Sequence, residues 1–84
     1  MKIEEMIDLL EVAAESVDGY DDIRIYKYQH KARALLDSVV SFEETSENPA
    51  EAASRLEGIL RQLSRKIEMR ENYLFVVKQI NDWQ

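Results

Sequence analysis

The amino-acid sequence predicts an all-α protein, folded as an up-down-up bundle of three helices in a single domain over residues 1–84. Only two glycines and one proline occur in the chain, so few positions interrupt a helix. Apolar residues recur at alternating steps of three and four, which places their side chains on one face of a helix. The helices are expected at about residues 2–17, 23–44 and 49–82, and the last is the longest.

The first helix is predicted from an apolar stripe and an acidic stripe. The apolar side chains expected in the core are Ile3, Met6, Ile7, Leu10, Ala13, Ala14 and Val17. The outward stripe, which we call the acidic face, consists of Glu4, Asp8, Glu11 and Glu15. Asp18 and Gly19 are expected to end the helix, because glycine takes the left-handed conformation at little cost. Asp21 or Asp22 can then cap the next helix.

The second helix is predicted from a core stripe of Ile25, Tyr28, Ala32, Leu35, Val39 and Phe42, with Leu36 beside it. Its opening, from Ile23 to Tyr28, alternates like a β-strand and is rich in β-formers. A strand is rejected there because no second run is present to pair with it, and because the helical spacing continues through it. The segment from Thr45 to Pro49 should end the helix, since a residue before proline avoids helical geometry.

The third helix has the clearest start in the sequence. Asn48 can cap it, Pro49 suits the first helical position, and Glu51 completes a capping box. Its stripe follows the four-three spacing of coiled-coil packing: Ala53, Leu56, Leu60, Leu63, Ile67, Arg70, Leu74 and Val77. Arg70 is the polar member. It could set the register of a dimer, or it could lie beyond the end of a partner helix and point into water.

Comparing helix lengths indicates a surface that the chain does not cover by itself. At about 1.5 Å per residue the helices would be roughly 24, 33 and 50 Å long, so helix three extends past both partners. Its part beyond Arg70, here called the tail, is rich in apolar residues. An apolar overhang in water usually marks an interface. We expect a homodimer through the tail, with Tyr73, Phe75, Val76, Ile80 and Trp83 as the interface residues. The alternative is a break near Gly58 or Asn72, which would give a compact monomer of four helices.

Charge is unevenly distributed along the chain, whose net charge is −6. Residues 1–22 carry a net −7 and residues 23–41 a net +3, so a strongly acidic first helix can pair internally with basic neighbours. The acidic face can equally dock a basic partner. Arg24, Lys27 and Lys31 form a short basic stripe of the kind that binds phosphates. Nucleic acid is nevertheless a disfavoured partner, because a pI of about 4.7 repels a polyanion.

The sequence lacks the residue patterns of common catalytic and metal sites. It contains no cysteine, which excludes thiolate chemistry and favours a reducing, cytoplasmic setting. The single histidine, His30, has no carboxylate three or four residues away, so neither a metal pair nor an oriented base is indicated. Gly19 and Gly58 stand alone, so no phosphate-binding loop is present. We expect no enzymatic activity, no cofactor and no metal.

The leading functional hypothesis is a small interaction or regulatory module that binds an unidentified protein partner through its helical surfaces. The tail and the acidic face are its candidate sites. The alternative is an acidic mimic of nucleic acid that inhibits a nucleic-acid-binding protein. No apolar run approaches the roughly 20 residues that span a bilayer, so no membrane partner is expected.

Overall fold

The computed structural model describes residues 2–41 and 46–83. Within these residues the chain forms three α-helices and no strand: α1 (Ile3–Ser16), α2 (Asp22–Val40) and α3 (Pro49–Trp83). The all-helical class and the three-helix arrangement are therefore confirmed. The strand-like opening of α2 is helical, as expected from the continuity of its apolar spacing.

The turn between α1 and α2 differs in detail from the expected glycine stop. Val17 leaves the helix with extended backbone angles, and the Asp18 carboxylate accepts a hydrogen bond from the Tyr20 N–H at 2.8 Å. Gly19 does not adopt the left-handed conformation, so the predicted mechanism of termination is wrong. An added Cβ would lie 3.4 Å from the Lys66 carbonyl oxygen, which is an ordinary van der Waals contact, so the turn packs against α3 at this position.

Helix α2 begins and ends with side-chain caps. The Asp21 carboxylate accepts a hydrogen bond from the Arg24 N–H at 3.1 Å, so Asp21 is the cap that the sequence left open between two residues. At the other end the Ser41 hydroxyl donates to the Asp37 carbonyl at 2.8 Å, beside the backbone bond from the Ser41 N–H to the same carbonyl at 2.9 Å. The helix ends at Val40, ahead of the predicted residue 44. Phe42, predicted on the core stripe, and Glu44 and Thr45 lie outside the described residues.

Helix α3 starts with the expected cap and continues without a break. The Asn48 side chain accepts from the Glu51 N–H at 3.1 Å, and its amide donates to the Glu51 carboxylate at 3.4 Å. The helix then runs through Gly58 and Asn72 to Trp83. The alternative of a helix broken into two pieces is therefore wrong.

The core lies among α1, α2 and the N-terminal two-thirds of α3. Its buried members are all apolar within the described residues: Ile3, Ile7, Leu10, Ala14, Val17, Ile25, Ala32, Val39, Ala52, Leu56, Ile59 and Leu63. Met6, Tyr28, Leu35, Leu36, Ala53, Leu60 and Ile67 pack around them. The last fully buried residue of α3 is Leu63, twenty positions before the helix ends.

The length of α3 makes the molecule elongated. Its extents are 58, 18 and 16 Å, and its radius of gyration is 16.0 Å. A compact chain of this length would have a radius of gyration of about 12 Å. The difference arises because the C-terminal third of α3 extends beyond the core.

Candidate functional site

The tail, residues 71–83 of α3, is exposed along its whole length apart from the half-buried Val77. All five predicted interface residues are exposed there: Tyr73, Phe75, Val76, Ile80 and Trp83. Leu74 adds another exposed apolar side chain, and Met69 lies exposed just before the tail. At about 1.5 Å per residue this segment is about 20 Å long. A contiguous apolar surface of that length is unusual for a monomer in water.

The apolar side of the tail overlaps the side of α3 that forms the core. Leu74 lies eleven residues after the buried Leu63, which is close to three full turns, so both side chains point in nearly the same direction. Val77 continues this line, while Tyr73 and Ile80 lie beside it. Phe75 points to the opposite side of the helix. The tail therefore presents a core-like face with no helix of its own chain against it.

Arg70 marks the border between core and tail. Its guanidinium Nη1 donates to the Asp22 carboxylate and, at 3.3 Å, to the Gly19 carbonyl. The hydrogen bond to Asp22 raises the pKa of Arg70 further above its ordinary value. The side chain is 14% exposed, and its buried Nε has no hydrogen-bond partner among the described residues. The side chain does not point into water, as one sequence interpretation of Arg70 had it, because it fastens α3 to the α1–α2 turn.

Lys66 makes a second connection to the same turn, which the sequence did not indicate. Its ammonium donates to the Glu15 carbonyl at 2.8 Å and to the Val17 carbonyl at 2.6 Å. These carbonyls belong to the C-terminal end of α1, where backbone acceptors lack helical partners and a positive charge complements the helix dipole. Together, Lys66 and Arg70 fix α3 at the point from which the tail emerges.

The acidic face lies beside α3 and was expected to point outward. Arg55 lies between Asp8 and Glu11 and forms ion pairs with both, including a bond from its Nε to Glu11 at 3.3 Å. These two carboxylates, Glu11 foremost, raise the pKa of Arg55. Asp8 is exposed and Glu11 half-buried, so both lie at the surface while they form the internal pairing that sequence analysis had also allowed.

Glu4 also has partners within the chain. Its carboxylate accepts from the Ser46 hydroxyl at 2.8 Å and from the Glu47 N–H at 3.3 Å, next to the start of α3. The hydrogen bond from Ser46 is the main cause that lowers the pKa of Glu4. Glu15, the last member of the acidic face, is exposed. Three of the four predicted docking carboxylates thus stabilise the fold itself.

An open apolar groove of about 600 Å³ lies between α1 and α2. It is lined by Met6, Leu9, Leu10 and Ala13 of α1 and by Tyr28, His30, Lys31, Ala34 and Leu35 of α2. Sequence analysis missed the groove, although Leu9 is a large apolar residue outside the predicted core stripe. His30 was expected to lie away from the core, and it is exposed at the edge of this groove. We call this feature the α1–α2 groove.

The described part of the chain lacks two classes of site. No group of three or more histidine, aspartate or glutamate side chains there is arranged to hold a metal ion. Over the same residues, no helix combines the length and apolar character needed to cross a membrane. The tail and the α1–α2 groove remain as the candidate surfaces.

Comparisons with known proteins found no match for this chain. No protein-family model, no curated protein and no solved structure matches it. The tail and the α1–α2 groove are therefore the surfaces from which a function can be inferred.

Proposed function

We propose that the protein is a small non-enzymatic interaction or regulatory module that works as a homodimer through the tail of α3. The observation that carries this proposal is the exposed core-like face of the tail, which continues the direction of the buried residues of α3. Coiled-coil-like packing of that face against another helix removes its side chains from water, and burial of apolar surface drives most protein association. A bound protein partner would use the helical surfaces of the same dimer.

The proposal includes an up-down-up order of the helices. The cross-helix hydrogen bonds support it, because Glu4 meets Ser46, Glu11 meets Arg55 and Glu15 meets Lys66. In these three pairs the residue numbers increase together in both partners, which fits a parallel arrangement of α1 and α3. Between α2 and α3 the order is reversed, because Asp22 bonds to Arg70 while the later Gln29 bonds to the earlier Ser64. This order fits an antiparallel α2.

The acidic-mimic alternative has less support than the dimeric module. Mimicry needs regularly spaced carboxylates that are free to meet a basic groove. Asp8 and Glu11 are instead paired with Arg55, and Glu4 accepts two hydrogen bonds from the segment before α3. The absence of cysteine agrees with a cytoplasmic setting, which we include in the proposal.

A pair of full-length variants tests the proposed dimer. The double variant Leu74→Glu with Val77→Glu places two charges on the core-like face of the tail, and we expect it to be monomeric by sedimentation equilibrium at concentrations where the natural protein is dimeric. The control is Gln79→Glu, which adds a charge on the opposite side of the same segment and should leave the dimer intact. A natural protein that is monomeric at high concentration, or a double variant that keeps the dimer mass, contradicts the proposal.

A further inference from the structure

Two apolar surfaces in residues 2–41 and 46–83, the tail and the α1–α2 groove, are uncovered, and they match each other in length. The apolar line of the tail from Tyr73 to Ile80 covers seven residue steps, and the groove covers seven on each of its walls, from Met6 to Ala13 and from Tyr28 to Leu35. Each span is about 10 Å, or two helical turns. One helix face of the tail therefore fits the available length of the groove.

The groove also lies on a side of the molecule where a tail from another copy can pack against it. Its lining residues come from α1 and α2, and none comes from the described part of α3. The groove is thus on the side of the α1–α2 pair that faces away from α3, and a helix placed there would complete a bundle of four. The chain's own tail cannot reach this place, because it continues straight beyond the α1–α2 turn.

A second copy of the chain, turned end for end, can supply the missing helix. Leu74 and Val77 of the tail face the same way as the core, so this side of the tail faces the layer in which α1 and α2 lie. Consider a second copy that lies beyond the α1–α2 turn of the first, with its α3 antiparallel to the first α3. Its α1–α2 pair then lies in the same layer as the first copy's α1–α2 pair and covers the first copy's tail. The same operation brings the second tail over the first groove, as a two-fold axis requires.

We propose that two copies exchange tails, so that the tail of each copy lies in the α1–α2 groove of the other and each end of the dimer becomes a four-helix bundle. This inference depends on the proposed dimer and adds to it the surface that receives the tail. The α1 and α2 helices of one copy then lie between their own α3 and the partner's tail. The assembly stops at two copies, because each copy contributes one tail and accepts one in its groove.

Area favours this exchange over packing of the two tails against each other. Tyr73, Leu74 and Ile80 belong to the line that spans the groove, and their exposed fractions are 59%, 51% and 47%. The exchange buries them in two separate contacts, each of which covers apolar surface on a tail and on a groove. Two tails against each other form one contact and leave both grooves open.

The decisive experiment changes the groove and leaves the tail intact. Leu9→Glu places a charge in the groove at a residue that is 59% exposed, so it removes little from the core of the monomer. We expect this full-length variant to sediment as a folded monomer at a concentration where the natural protein is dimeric. The control is Val40→Glu, which adds the same charge at a residue of α2 that is 63% exposed and does not line the groove; it should stay dimeric.

The outcomes separate the exchange from the dimer itself. A dimer that persists equally in both variants overturns the exchange and leaves a tail-mediated dimer standing. A natural protein that is monomeric overturns both. Circular dichroism establishes that Leu9→Glu is helical before its mass is interpreted.

Cross-linking gives a second, independent measurement, because the sequence has no cysteine to interfere. Leu9→Cys is mixed and equilibrated in turn with Tyr73→Cys, Val76→Cys and Ile80→Cys, and each mixture is oxidised. A disulfide needs Cα atoms within about 7 Å, so exchange predicts a mixed disulfide between the groove cysteine and at least one tail cysteine. Disulfides that join only tail to tail at all three positions contradict the exchange.

Discussion

The two ends of α3 have similar apolar content and different surroundings. In the N-terminal part, Leu56 and Leu63 are fully buried under α1 and α2. In the tail, Leu74 and Val76 are exposed although the same helix carries them without interruption. The comparison shows that an apolar stripe specifies a face to be covered, while the lengths of the neighbouring helices decide how much of it the chain covers itself. Arg70 lies at the boundary between the covered part of α3 and the exposed tail.

Two matched truncations should give the largest difference between the ends of α3. Leu63→Ala removes a side chain that is fully buried, and such changes lower the free energy of unfolding by about 2–5 kcal/mol. Leu74→Ala removes the same groups three turns later, where the side chain is 51% exposed, and should cost less than about 1 kcal/mol in a monomer. Urea unfolding at low protein concentration measures both.

The Leu74 variant should instead weaken self-association, which sedimentation at increasing concentration detects. Equal losses of stability at the two positions in dilute solution would show that the tail packs within its own chain, contrary to the structure.

The border between the two regions is tested at Arg70. Arg70→Gln removes the charge that holds α3 to Asp22 and leaves the hydrogen bond to Gly19 weaker. We expect a lower Tm, because the Asp22 carboxylate loses its cation at the α1–α2 turn. Arg65→Gln, at an exposed arginine of the same helix, is the control and should change Tm little. A variant pair with identical Tm values would mean that the turn does not depend on Arg70.

The ion pairs of Arg55 at the edge of the core should contribute a smaller, salt-dependent amount to the free energy of unfolding. Arg55 bridges Asp8 and Glu11, and all three side chains are partly exposed. A double-mutant cycle of Arg55→Gln and Glu11→Gln should give a coupling free energy of about 0.5–1 kcal/mol, as for other exposed ion pairs. The coupling should fall as salt is added, because ions screen exposed charges. A coupling that is unaffected by salt would contradict an ion pair at this position.

Glu4 should give the smallest effect, visible in the pH dependence of stability. Its pKa is lowered from the ordinary 4.5 by the hydrogen bond from Ser46. A carboxyl with a lower pKa in the folded state stabilises the fold above its unfolded pKa, and that contribution is lost as pH falls through the folded value. Denaturation of the natural protein and of Glu4→Gln between pH 3 and 7 measures it. The difference between the two proteins should shrink on acidification, and a difference that grows would refute the assignment.

Local rules accounted for most of the secondary structure. The start of α3 follows from the cap at Asn48, and the start of α2 follows from Asp21. The buried residues of α1 also agree with their spacing. On α3 the stripe was placed slightly off, because Ala52 and Ile59 are buried while the predicted Ala53 and Leu60 are only half-buried. Two helices pack on α3, so its buried face is wider than a single line of residues.

Long-range features were beyond the reach of sequence spacing. Arg70 pairs with Asp22, which lies 48 positions away in the sequence. Asp8 and Glu11 pair with Arg55 of a different helix, so the spacing within α1 does not indicate this pairing. The α1–α2 groove depends on how two helices diverge, and neither helix encodes that alone. The exposed tail was predictable because it follows from helix lengths, which the sequence does specify. Its role as an interface stays a proposal.

The central claim, that the tail is the surface through which this protein meets a second copy, is tested most directly by its molecular mass in solution. Light scattering of the full-length chain should give a dimer, and a chain that ends at Asn72 should give a monomer with the helical signal of its core retained. A full-length chain that is monomeric at high concentration would contradict the claim, and so would a dimer that survives the loss of residues 73–84.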